Sequence, residues 1–168
     1  MLSEIRKDPK TPLTRISDAR ISIKELSKED INTLSNKLYK IKLPYRWRIS
    51  NSSEYEETPL VSIISKDHEY PNISAVFYPR MIKSSSTRAE NALKNFYKLI
   101  QKNSIAIDIS LGDLVYIDNR FSLHSRDKFQ PTFDKKNTPL RWVQRIFISE
   151  SLWKHRNLKR VKNRIFSI

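Results

Sequence analysis

Apolar and polar positions recur with two different periods along this chain, and the change of period marks out its elements. Ala89, Ala92, Leu93, Phe96, Leu99 and Ile100 follow helical spacing, which predicts a helix from about Arg88 to Lys102. Thr87 and Glu90 spell T-x-x-E just ahead of it and read as a capping box. Ile31, Leu34, Leu38 and Ile41 share a second helical face. Ser27 can cap that helix, Glu29 and Asp30 place negative charge in its first turn, and Pro44 stops it. Ser17 to Lys40 therefore reads as one or two short helices. Tyr45–Ile49, Pro59–Ile64 and Ile73–Tyr78 have strand-like composition, separated by the polar loop NSSEYEET and the turn chemistry of DHEYPN. Three more strand candidates fill the last third, at Ser104–Ile109, Asp113–Ile117 and Trp142–Ser149, with an S-L-G-D turn between the first two. A helix followed by strands suits an antiparallel sheet or barrel with helices on one side: α+β, mainly β.

Composition narrows this picture. At 168 residues the chain has the size of one domain, and 38% hydrophobic residues permit a modest core. It contains neither an internal repeat nor a long linker, so residues 1–168 are read as a single domain. No apolar run is long enough to span a bilayer, and MLSEIRKDPK lacks the apolar stretch of a signal peptide. The absence of cysteine excludes disulfides and thiolate metal sites and makes a cytoplasmic location the default. Thirty-two Lys and Arg against 18 Asp and Glu give a formal charge of +14, which raises the question of an anionic partner. The charge is spread out except in a basic tail, residues 154–168, where Lys154 to Arg164 reads KHRNLKRVKNR. A solvated terminal helix accounts for that run more simply than a nucleic-acid site. Gly112 is the single glycine, so tight turns elsewhere must fall to Asn, Asp and Ser.

The chemistry is concentrated in GDLVYIDNRFSLHSR, Gly112 to Arg126, and RWVQR, Arg141 to Arg145. These words offer a histidine, His124, just past a strand, then a loop, then a strand opening with arginines. Residues four apart on a strand share a face, so Arg141 and Arg145 project together, opposite Trp142. Two guanidiniums on an inward face are costly unless they meet an anion. A small dicarboxylate suits them, because guanidinium grips carboxylate bidentately. Spacing alone leaves His124 open to a plainer role as a hydrogen-bonded core histidine.

Together these words resemble the C-terminal signature of the TauD-like and clavaminate-synthase-like oxygenases, the group that includes amino-acid β-hydroxylases. The family pattern is a GD-L strand ending in D-N-R, a turn, H-G-R, a loop, then R-W-x-Q-R. Weaker similarity runs upstream: PLTRISDAR looks like the strand-to-helix step after the family's metal motif. PLVSII, NISAVFYPRMI and the capped helix match segments ahead of GD-L. The resemblance thus covers most of the chain, from about Thr11 to His155. It implies a double-stranded β-helix (jelly-roll) with flanking helices, here a partial one, and an Fe(II)/2-oxoglutarate-dependent dioxygenase. In such enzymes two histidines and a carboxylate hold the iron and leave open positions. The resemblance makes His124 the distal iron ligand and Arg141 the partner of the C5 carboxylate of 2-oxoglutarate. Arg145 becomes the second arginine facing co-substrate or substrate carboxylates, and Thr14 a hydroxyl sharing the C5 carboxylate. The implied reaction couples decarboxylation of 2-oxoglutarate, to succinate and carbon dioxide, to hydroxylation of an amino-acid-like small molecule.

The family's proximal motif, H-x-D or H-x-E, does not occur in this sequence. His68 is followed directly by Glu69, and adjacent residues on extended chain face opposite ways, so the pair reads as a solvated loop. His155 lies in the basic tail. H-G-R has become H-S-R, and the stretch from His124 to Arg141 looks lengthened. The expectation is the C-terminal half of the domain, truncated or split, with a separate chain supplying the N-terminal half. The competing readings are a catalytically inactive remnant and a basic binding module for nucleic acid or an acidic partner.

Overall fold

The computed structural model describes residues 12–42, 57–65, 70–140, 143–146, 148 and 151, and the backbone of 159–162 and 165–167. Among these residues the order is β1 (Thr14–Asp18), α1 (Ala19–Lys24), α2 (Lys28–Ser35), β2 (Tyr39–Ile41), β3 (Ile82–Ser84) and α3 (Thr87–Lys102). Then come β4 (Ile105–Ile107), β5 (Ser122–Arg126), β6 (Lys159–Lys162) and β7 (Ile165–Ser167). β1 lies between β4 and β5 in an antiparallel sheet; β2 pairs with β3 and β6 with β7.

The helices form where the sequence supplies caps. Ser27 accepts from the Asp30 amide at the start of α2, as its position suggests. The cap of α3 is Ser86, which accepts from the Ala89 amide, and not Thr87. Thr87 already belongs to the helix, and Glu90 instead pairs with Lys94 one turn on, at 2.6 Å. α2 ends at Ser35, well before Pro44, and Leu38 and Ile41 leave its face. The reason is tertiary: the Leu34 carbonyl accepts from the amides of Ile63 and Ile64 (2.9 and 3.1 Å), so a neighbouring segment satisfies the helix end.

The core lies where α3 meets α2 and β2. Ala89, Ala92, Phe96 and Ile100 form the buried stripe of α3. They pack with Leu34, Tyr39, Ile63, Ile64 and Ile73. The Tyr39 hydroxyl, fully buried, donates to the Ala89 carbonyl at 3.1 Å. At the far end of α3, Lys102 and Asn103 both reach Glu25, at 2.6 and 2.8 Å, and tie α1 to α3.

Several strand expectations change. Pro59–Ile64 and Ile73–Tyr78 make only isolated bridges, Tyr39 with Val61 and Ile64 with Ile73. Among the described residues Asp113–Ile117 joins no ladder. Neither do the described residues of Trp142–Ser149. In the basic tail the described backbone is the β6–β7 hairpin, not a helix. Tyr45–Ile49 lies outside the described residues. The described part of the chain is therefore α+β, with an open three-stranded sheet and no closed barrel.

Candidate functional site

His124 sits in the middle of β5, not just past a strand as its sequence position suggested. It pairs with Ile16 of β1, while Thr14 pairs with Arg126 and, on the other side, with Ile107. Directly paired residues of an antiparallel ladder share a face. Thr14, Ile16, His124 and Arg126 therefore line one face of the sheet. Arg15, Ser17, Leu123 and Ser125 line the other, where Leu123 meets the core under α3.

Arg145 lies close enough to His124 for their charges to interact. Its positive charge bears on His124 and, after partial burial of the ring, is the second cause that holds the imidazole pKa below its ordinary 6.5. A neutral imidazole is the form that can donate a lone pair to a metal. Of the four expected site residues, Thr14 and His124 thus share a face of the sheet, and Arg145 is within electrostatic reach of His124. Arg141 lies outside the described residues, as do His68 and His155.

The turn that delivers β5 is built by the D-N-R word. The Asp118 carboxylate accepts from the Arg120 amide (3.0 Å) and side chain (2.6 Å to Nη2), and the Asp118 carbonyl accepts from the Ser122 amide. Arg120 hydrogen bonding keeps the Asp118 carboxyl below the ordinary carboxylate range. The same device occurs at the end of β1, where D-A-R places Arg20 on Asp18, again at 2.6 Å, and Asp18 caps α1. The Arg20 guanidinium also lies 3.9 Å from the centre of the Phe121 ring. Upstream, Gly112 takes φ +90 in the Ser110–Asp113 turn, a conformation that favours glycine. Downstream, Thr132 to Leu140 closes a small exposed hairpin in which Asp134 accepts from the Lys136 and Thr138 amides.

Sequence reasoning missed the two arginines of β1 and its end, Arg15 and Arg20. Arg15 pairs with Asp127 at 2.7 Å, 112 residues away. The repeated D-x-R spelling at 18–20 and 118–120 was the available signal for Arg20.

As a metal site the described residues are incomplete: no group of three or more His, Asp or Glu is placed to hold an ion among them. His124 would be one ligand, and the face around it carries cations suited to an anion.

The family model for "Taurine catabolism dioxygenase TauD, TfdA family" matches residues 13–147. An L-asparagine oxygenase of Streptomyces coelicolor is 29% identical over 72 residues, 43% of this chain and 21% of that protein. Among solved structures, asparagine oxygenase in complex with Fe(II), a 3-hydroxyasparagine and succinate superposes with a TM-score of 0.67 at 20% identity, over 79% of this chain and 40% of that one. The non-heme iron oxygenase OrfP in complex with Fe and L-Arg gives 0.71 at 23% identity, over 95% of this chain and 50% of that one. These likenesses establish a shared fold, and the chain spans half or less of the length of these proteins.

Proposed function

The chain belongs to the TauD/TfdA dioxygenase family, whose members work with Fe(II) and 2-oxoglutarate, and on that premise we propose that it carries the co-substrate side of an amino-acid hydroxylase. The observation that carries this reading is that Thr14 and His124 share one sheet face, with the Arg145 charge acting on His124. His124 would be one iron ligand. Arg141 and Arg145 would hold the 2-oxoglutarate carboxylate, with the Thr14 hydroxyl beside them. Iron, when bound, would supply oxygen activation. The residues of this chain would orient the dicarboxylate and neutralise its charge, while burial and the Arg145 charge favour the neutral form of His124. The substrate would be an amino acid or a related small molecule, in line with the structural neighbours that hold 3-hydroxyasparagine and L-Arg.

The reading includes a second polypeptide segment carrying the H-x-D/E ligands and completing a double-stranded β-helix. One histidine does not hold Fe(II) usefully, because affinity follows ligand number and geometry. Leu111, Leu114 and Tyr116, beside the turn that precedes β5, are 63%, 91% and 74% exposed and are the surface on which such a segment would dock.

The test is calorimetric titration of the isolated chain with 2-oxoglutarate, without metal and then anaerobically with Fe(II). The arginines should bind the dicarboxylate without iron. Arg145→Ala should weaken binding ~10-fold or more, the worth of a charge-assisted hydrogen bond. Equal binding by wild type and an Arg141→Ala/Arg145→Ala double variant would refute the co-substrate assignment. A visible iron–2-oxoglutarate charge-transfer band from the isolated chain would refute the need for a second segment.

A further inference from the structure

We propose that Arg15 and Arg20 are positioning residues that fix the register and direction of His124, an inference that rests on reading His124 as a ligand. Among the described residues β5 pairs only with β1, through one five-residue ladder on which the aim of its side chains depends. His124 stands at the centre of that ladder, and each end is closed by an arginine, Arg15 from β1 and Arg20 from the first turn of α1.

At the entry, Arg20 is gripped by Asp18 through contacts of 2.6 to 3.1 Å. Its plane covers Phe121 at 3.9 Å, and the Ala19 amide donates to the Phe121 carbonyl at 2.9 Å. Arg20 and Asp118 also feel each other's charge, which joins the two D-x-R units at this end. At the exit, the Asp127 amide donates to the Leu13 carbonyl at 3.0 Å, and Arg15 closes over it onto the Asp127 carboxylate at 2.7 Å.

Strand alternation puts Arg15 on the face opposite His124. It therefore acts on the site only through the strand. A slip of one residue would turn His124 to the core face and Leu123 to the site. The Arg20 contact needs a planar group that both pairs and stacks, which lysine does not provide. The Arg15–Asp127 pair is largely exposed (46% and 36%), so its loss should loosen the strand end rather than unfold the chain.

The experiment is NMR on the chain labelled with 15N-histidine, with His124 assigned through His124→Gln. Arg15→Ala and Arg20→Ala should each shift or split the His124 ring signals. In Arg15→Ala, exchange of the Asp127 amide should quicken by up to about five-fold, the effect of an exposed ion pair. Arg15→Asp combined with Asp127→Arg should restore the single wild-type signal, and Arg20→Lys should not restore it. Lys102→Ala, which cuts the α1–α3 tether to Glu25, should leave His124 unchanged. Unchanged His124 signals in both arginine variants, or an equal change in Lys102→Ala, would overturn the proposal. Adding 2-oxoglutarate to the wild type separates the two readings, since the Arg145 charge bears on His124: if the dicarboxylate leaves the His124 signals unmoved while the arginine effects stand, the site assignment fails and the positioning one survives.

Discussion

Two side chains carry the sharpest expectations at the scale of single residues. Loss of water around the His124 ring lowers its pKa, and the charge of Arg145 lowers it further. A group whose folded pKa is depressed contributes stability above its unfolded value and loses that contribution as pH falls through the folded one. His124 should therefore titrate below 6.5 in the folded chain. In Arg145→Ala its midpoint should rise while staying below 6.5, because burial is the larger cause. A ring-proton titration reads this directly, and an unmoved midpoint would mean that Arg145 does not face His124. Tyr39 has the opposite sign. Burial, with the Asp30 charge behind it, pushes its phenol from 10.0 to about 12. Wild-type stability should be intact below pH 10 and decline as pH rises toward 12. Tyr39→Phe should lose about 1 kcal/mol at neutral pH, the worth of the hydrogen bond to Ala89. It should also lack this alkaline decline, as denaturant midpoints across that pH range would measure.

At the scale of elements, α3 separates what local pattern conveys from what it does not. Its apolar stripe was legible because the period of a helix is written in the sequence, and Ala89, Ala92, Phe96 and Ile100 are indeed its buried residues. Its cap was misread by one position, since Ser85, Ser86 and Thr87 all have capping chemistry and only backbone geometry chooses among them. Ser86→Ala should therefore cost ~1 kcal/mol of unfolding free energy. Thr87→Ala should cost only a few tenths, the small propensity difference between Thr and Ala in a helix. Equal losses would return the cap to Thr87. Strands were less legible. β2 and β3 are three residues each, too short for alternation to register. β1 was visible only as part of the family-like PLTRISDAR step. Asp113–Ile117 has strand composition and no described partner. A strand depends on its neighbour, and pattern within one segment does not reveal that neighbour. The surroundings of the candidate site show the same division: the word around His124 drew attention to that segment, whereas the Arg15–Asp127 pair was hidden because its partners are 112 residues apart.

At the scale of the whole molecule, the decisive feature is the apolar surface left uncovered beside the site. Ile105, Leu111, Leu114, Tyr116, Ile146 and Ile148 are each more than 60% exposed. Scattered exposed apolar side chains are ordinary, but here Leu111, Leu114 and Tyr116 fall within six consecutive residues ahead of the turn that feeds β5. Among the described residues β4 is an edge of its sheet, and an edge offers backbone groups for pairing. The formal charge of +14 opposes self-association at low salt, and added salt screens that repulsion while leaving apolar attraction in place. The chain should therefore sediment as a monomer in dilute, low-salt buffer and associate as salt or concentration rises. Leu114→Lys with Tyr116→Lys should keep it monomeric, and since both side chains are exposed the thermal midpoint should not fall. A wild type that stays monomeric with a cooperative transition at high salt and high concentration would show that this face needs no cover, and with it the case for a docked second segment would fall.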